Sequence, residues 1–318
     1  MIDRRSLLAA AGAAFAWPAG AKPTLAPTDL TGVWTNAWYT RLQRPKAFKG
    51  LVVTPAEAEA YEAPRRAHKG ELISKQDLLG QNESEFPDNG PGLARIHGEI
   101  RSSWIVDPPD GRIPWTDEAK KRLPIIGEPP DVYDNVEDRD TDERCLTTTG
   151  GSAPIINSHD GNVVQIVQTP GWLAVVGEKN HEARLIRIAG AGEPQPTPGA
   201  DPRLRDWQGE SVGRWEGATL VVETYGLRAG ATKMDDNLYF SEHTRIVERF
   251  TRSAPDEIAY GFTVEDPTLF TRAWRAEMVF RTEPRGIFEY ACHEGNYSLP
   301  GILRAARAAD GKAAAGGK

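Results

Sequence analysis

The chain has 318 residues and a formal net charge of −7. An acidic chain without a strong basic run lacks the positive face that phosphate backbones require, which argues against a nucleic-acid-binding protein. With 24 prolines, 31 glycines and few long helical patterns, its composition predicts a mainly β, turn-rich fold built as one large domain or two small ones.

The first residues, "MIDRRSLLAAAGAAFAWPAGA", carry Arg4 and Arg5, then an apolar stretch over 6–17, then Ala19-Gly20-Ala21. That stretch is too short to span a bilayer, which takes roughly 20 residues. It reads as a cleaved signal peptide over 1–21, with the arginine pair favouring twin-arginine export to the periplasm or beyond. An ordinary secretory signal with two chance arginines is the alternative. No later run has transmembrane length, so no membrane span is expected.

"LTGVWTNAWY" (30–39) predicts a strand. Thr54-Pro55-Ala56-Glu57 has the residues of a capping box and predicts a helix to about Arg66. Residues 67–103 are polar and ambiguous. In "VDPPDGRIPWTDEAKKRL" (106–123), a proline-fixed turn precedes a short helix capped by Thr116, with Asp117 and Glu118 in its first turn. The acidic run 131–143 lacks the spacing and central glycine of an EF-hand; it reads as a solvated loop, with a calcium site as the alternative.

From 155 onward the hydrophobic period becomes two. "GNVVQIVQ" and "WLAVVGE" flank a Thr169-Pro170-Gly171 turn, and "HEARLIRI" follows. After a Pro/Gly linker at 190–203, "GRWEGATLVVETYGL" reads as a hairpin turning at Glu216-Gly217. "HTRIVERFT", "EIAYGFTVED", "RAWRAEMVFR" and "IFEYACH" continue the pattern. An antiparallel meander of this kind predicts an up-and-down barrel or a strongly curved sheet over 151–303. Residues 22–150 would supply an N-terminal strand, short helices and loops packing on the barrel. The tail 304–318 would fray.

Alternation assigns faces. Glu248 shares a side with Ile246 and Phe250 and is expected to point inward. Tyr260 and Phe262, with Trp274 and Phe280, form inward aromatic stripes able to line a pocket, with Arg249 as a further binding residue. Glu223 lies where both faces look partly buried. On the last predicted strand Tyr290 and Cys292 point in, Glu289 and His293 out; His293, Glu294 and Asn296 then turn over the barrel rim. A buried carboxylate without a partner rises in pKa and becomes a candidate acid or base. The structural alternative pairs Glu223 or Glu248 with Arg184, Arg214 or Arg249. Cys145 and Cys292, the two cysteines, predict a disulfide in an oxidising compartment, with a catalytic thiol at Cys292 as the alternative.

Walker, GxGxxG, GxSxG and HExxH motifs are absent. A zinc site would have to gather His181, His293 and His159 or Glu294 through folding, so no cofactor is expected, with a metal ion as the minor alternative.

The segments "GRWEGATLVVET", "IVERFTRSAPDEIAYGFTVEDP" and "EYACHEGNY", with "LTGVW", "VDPPDGRIP" and "HEARLIRI", resemble a group of exported bacterial proteins carrying these motifs along nearly the whole mature chain. That group often has Asp where this chain has Ala218, and the resemblance implies no mechanism. "LTGVWTN" opening a meander is also similar to the calycins (lipocalins and avidins), which implies a ligand-holding barrel by analogy of fold.

Two functions follow as expectations. The first is an exported enzyme acting on a small, partly apolar organic molecule by cofactor-free acid–base chemistry as a lyase, isomerase or hydrolase. Glu223 or Glu248 would move the proton, with His181, Tyr290 or His293 as the second group. The second is a periplasmic small-ligand carrier without catalysis, which predicts that inward carboxylates are paired with arginine. A wall-associated structural module is a third reading.

Overall fold

The computed structural model describes residues 28–74, 90–126, 135–139, 141, 143–147, 150–158, 161–190, 205–230, 232–233 and 238–316. The expected leader, residues 131–134, 140 and 142 of the acidic run, most of the Pro/Gly linker, and His159 lie outside the described residues.

In chain order the elements are β1 (Gly32–Thr35), β2 (Val52–Val53), α1 (Pro55–Ser74), β3 (Arg95–Ile96), β4 (Glu99–Arg101), β5 (Ile105–Asp107) and α2 (Asp117–Ile126). Then come β6 (Val163–Thr169), β7 (Trp172–Gly177), β8 (Ala183–Ile188), β9 (Glu210–Glu216), β10 (Thr219–Tyr225), β11 (Thr232–Lys233) and β12 (Leu238–Tyr239). The chain continues through β13 (Arg245–Ala254), β14 (Glu257–Glu265), β15 (Trp274–Thr282) and α3 (Ser298–Gly316).

The protein is mainly β, and nine strands close into a barrel in the order β1-β6-β7-β8-β9-β10-β13-β14-β15, with β15 returning to β1. Trp34 lies opposite Thr282 and Thr35 opposite Arg281 at that seam. The other edge partner of β15 is β5, through Arg275 and Ala276. β1 is therefore a barrel stave, not an element packed on the outside. One core runs across residue 150, joining Leu30, Trp34, Ile105 and Trp115 to the barrel interior.

The local signals act as the residues dictate. Thr54 Oγ1 accepts from the Glu57 amide at 3.2 Å while Glu57 Oε2 accepts from the Thr54 amide at 2.8 Å, so the capping box is complete. α1 runs past Arg66 to Ser74. Thr116 caps α2 by accepting from the Ala119 amide at 3.1 Å. Pro170-Gly171 makes the β6–β7 turn, with Gly171 at φ 84°, the left-handed value that Gly at the third position of a type II turn adopts without strain. Gly217-Ala218 makes the β9–β10 turn.

Three expectations need correction. The barrel is mixed, because β8 and β9 run parallel, with Ile186 opposite Ser211. Residues 189–209 lie between those strands, long enough for a crossover instead of a hairpin. "IFEYACH" is not a strand, and β15 is the last stave. Once β1 and β5 share the edge of β15, residues 287–293 have no open edge there to pair with. The segment from 304, expected to fray, is helical as part of α3.

Candidate functional site

Alternation along β13 turns Ile246, Glu248 and Phe250 into the barrel, opposite Val222 of β10 and Phe262 of β14. Glu248 is fully buried and meets Arg184 of β8, itself 1 % exposed. Arg184 donates through Nη1 at 2.5 Å and Nη2 at 2.9 Å, one to each carboxylate oxygen. Tyr260 of β14 donates its hydroxyl to Glu248 Oε1 at 2.7 Å and accepts from the Ile155 amide at 2.9 Å. Burial pushes the Tyr260 phenol well above its ordinary value, and the neighbouring Glu248 carboxylate adds to that. Burial opposes the charge on Arg184, but Glu248 outweighs it and leaves its pKa raised. A bidentate arginine clamp is among the strongest polar contacts available in an interior. It also occupies both oxygens of the acid.

The aromatics expected to line a lumen instead fill it. Tyr260 packs on Phe250, Phe262 and Phe280 with ring centres 4.8, 5.8 and 5.3 Å apart. Phe262 meets Trp274 edge-on at 5.6 Å. All these rings are buried.

Glu223 is not an interior acid. It pairs with Val212 and Val247 on the outer face of β9, β10 and β13, opposite in sense to Glu248. Arg214 donates to it at 2.8 Å, Arg245 at 2.7 Å, and Tyr225 through its hydroxyl. Burial alone would raise its pKa, but these three donors win and hold it at about 2. The ladder extends through Arg245 to Glu265 and through Arg214 to Glu216. Arg249, expected near a ligand, faces solvent and pairs with Glu216 at 3.1 Å.

The "EYACHEGNY" segment divides differently from its expected strand-and-rim form. Cys145 and Cys292 are disulfide-bonded, with Cα atoms 5.9 Å apart, so no catalytic thiol remains. Asn296 donates to the Glu143 carbonyl at 3.1 Å and so braces the linked loop. Tyr290 is half-buried outside any strand, while His293 and Glu294 are exposed. His181 is exposed in the turn before β8. Among the described residues no three His, Cys, Asp or Glu side chains come together as a metal set, and no helix is long and apolar enough to cross a membrane.

A site that alternation did not reveal lies at one barrel mouth. There the β6–β7 turn, the segment 28–31 and the ends of β8 and β9 enclose a recess of about 480 Å³. Its walls are Asp29, Gln168, Thr169, Ile188 and Trp215, with Thr28 and Thr31. Gln168 is fixed by accepting from the Leu30 amide at 3.1 Å and donating to the Thr28 carbonyl at 3.0 Å. Asp29 Oδ1 accepts from the Thr31 amide at 3.0 Å. The parallel step explains the gap: neighbouring antiparallel staves are joined here by tight turns, but β8 and β9 cannot be. Sequence reading missed this recess because four segments separated in sequence build it; the one local hint was Trp215, a large apolar residue beside a turn. A smaller recess of about 290 Å³ lies beside α2, between Arg122 and Tyr239.

No protein-family model matches this chain, and neither a curated protein nor a solved structure does.

Proposed function

We propose that this protein is an exported small-ligand carrier, a binding barrel whose site is its mouth and not its packed interior. One observation carries the reading: the open mouth recess presents an indole, an aliphatic side chain and hydroxyls, but only one ionisable side chain among its described lining residues. That is the composition of a recognition pocket, a concave and partly apolar surface with a few orienting polar groups. Acid–base catalysis needs two positioned titrating groups near the reacting atoms.

The enzymatic alternative, a lyase, isomerase or hydrolase using Glu248 or Glu223, has weaker support. Both acids are held as carboxylate partners of arginine, on opposite faces of the sheet, and neither has a histidine among its hydrogen-bond partners. The leader reading supplies the export part of the proposal.

Saturation-transfer NMR on the mature chain against a panel of small amphiphilic organic molecules tests this. The carrier reading expects binders whose signal drops in Trp215→Ala, with every bound compound recovered unchanged after prolonged incubation. Conversion of a bound compound, abolished in folded Glu248→Gln or His293→Ala, would replace the carrier with the enzyme.

A further inference from the structure

Resting on the carrier reading, we propose that the mouth recess takes a small organic cation, an amine or quaternary ammonium group borne on an apolar frame. The charge pattern points that way. Asp29 is the sole charged side chain among the described lining residues, and no lysine, arginine or histidine joins it. The Thr31 amide occupies Oδ1 and fixes the carboxylate where it stands.

Trp215 supplies the second half of the recognition. Its indole is partly buried, packed against the core on one side and lining the recess on the other. The negative face of an indole attracts a cation, and more strongly than a phenyl ring does. Ile188 beside it offers apolar contact for the ligand's frame. The nearby cation, Arg252, is already committed: it donates to the Asp29 carbonyl at 2.9 Å and lies 4.9 Å over the Trp34 ring. It braces the Asp29 backbone from outside the recess wall.

Neutral and anionic ligands fit less well. A polyol would use the indole and the threonine hydroxyls but would gain little from the Asp29 charge. An anion would face Asp29 with no cation among the described lining residues to offset it, which is the repulsive half of a specific site.

Calorimetric titration of the mature chain at low ionic strength, with benzyltrimethylammonium, benzyl alcohol and benzoate as matched probes, decides the matter. The proposal expects the cation to bind at least ~10-fold more tightly than either other probe, and added salt to weaken it. Asp29→Asn should lower its affinity about 5- to 10-fold, Trp215→Leu should remove binding, and Asp310→Asn on α3 should change nothing. Asp29 lies at the rim, so its variant keeps the test valid even if Trp215→Leu fails to fold. Equal binding of benzyl alcohol, unaffected by Asp29→Asn, would overturn the cation assignment and leave the carrier reading standing. Failure of all three probes to bind would overturn both.

Discussion

Arg184 and Glu248 meet inside the barrel although β9 and β10 separate their strands around the wall. The pair is a cross-brace through the interior, and Tyr260 extends it to the backbone of Ile155. The pairing of two fully buried charges leads to the first expectation. Removing one partner strands a buried charge, so Arg184→Met or Glu248→Leu should each cost about 3–5 kcal/mol. The double variant should recover most of that loss, because an apolar pair of similar volume needs no solvation. Urea unfolding of the four proteins measures the coupling. Additive single costs would mean that the two side chains do not depend on each other.

Glu223 supplies a pH signature. Its carboxyl sits at about 2 in the folded protein against an ordinary 4.5, so folding favours the ionised form. The resulting stability is fully present above about pH 4.5 and is lost as pH falls towards 2. Arg214 and Arg245 are each 36 % exposed, which screens the interaction and brings the expected contribution to about 1–2 kcal/mol. Chemical denaturation between pH 2 and 6 should show Glu223→Gln with a flatter acid limb than the native chain. Parallel limbs would mean that other carboxylates govern acid unfolding.

Much of the β architecture was legible because period-two alternation is a local signal. It put Glu248, Tyr260, Phe262, Trp274 and Phe280 inside, where the structure has them. Two of the arginine pairings considered from sequence, Arg184 and Arg214, are made, with Glu248 and Glu223 respectively. The two cysteines form their bridge. Glu223 was misplaced because apolar residues on both faces of β10 made its side ambiguous; Arg214 across the hairpin and Arg245 on β13, which pair with it on the outer face, settle that side only once the sheet is folded. The β15–β1 seam, the parallel β8–β9 step and the loss of "IFEYACH" as a strand depend on which edges remain open after closure. No local propensity encodes that. The mouth recess was illegible for the same reason.

The disulfide should matter for stability more than for the site. It closes 147 residues of sequence separation, worth about 5 kcal/mol in the chain-entropy model. Cys145→Ala/Cys292→Ala should lose about 3–5 kcal/mol in urea and speed proteolytic cleavage within 286–297, while ligand affinity at the mouth stays within about twofold. A loss below about 1 kcal/mol would show that the unfolded chain is not constrained by the bridge.

The central claim is that ligands enter the barrel mouth and not its interior. The indole N–H resonances of the tryptophans report this directly during titration with benzyltrimethylammonium, since Trp215 lines the recess and Trp274 is wholly buried in the core. The account predicts a large, saturable shift of the Trp215 indole while Trp274 stays still. A shift of Trp274 with Trp215 unmoved would place the ligand among the interior aromatics and contradict it.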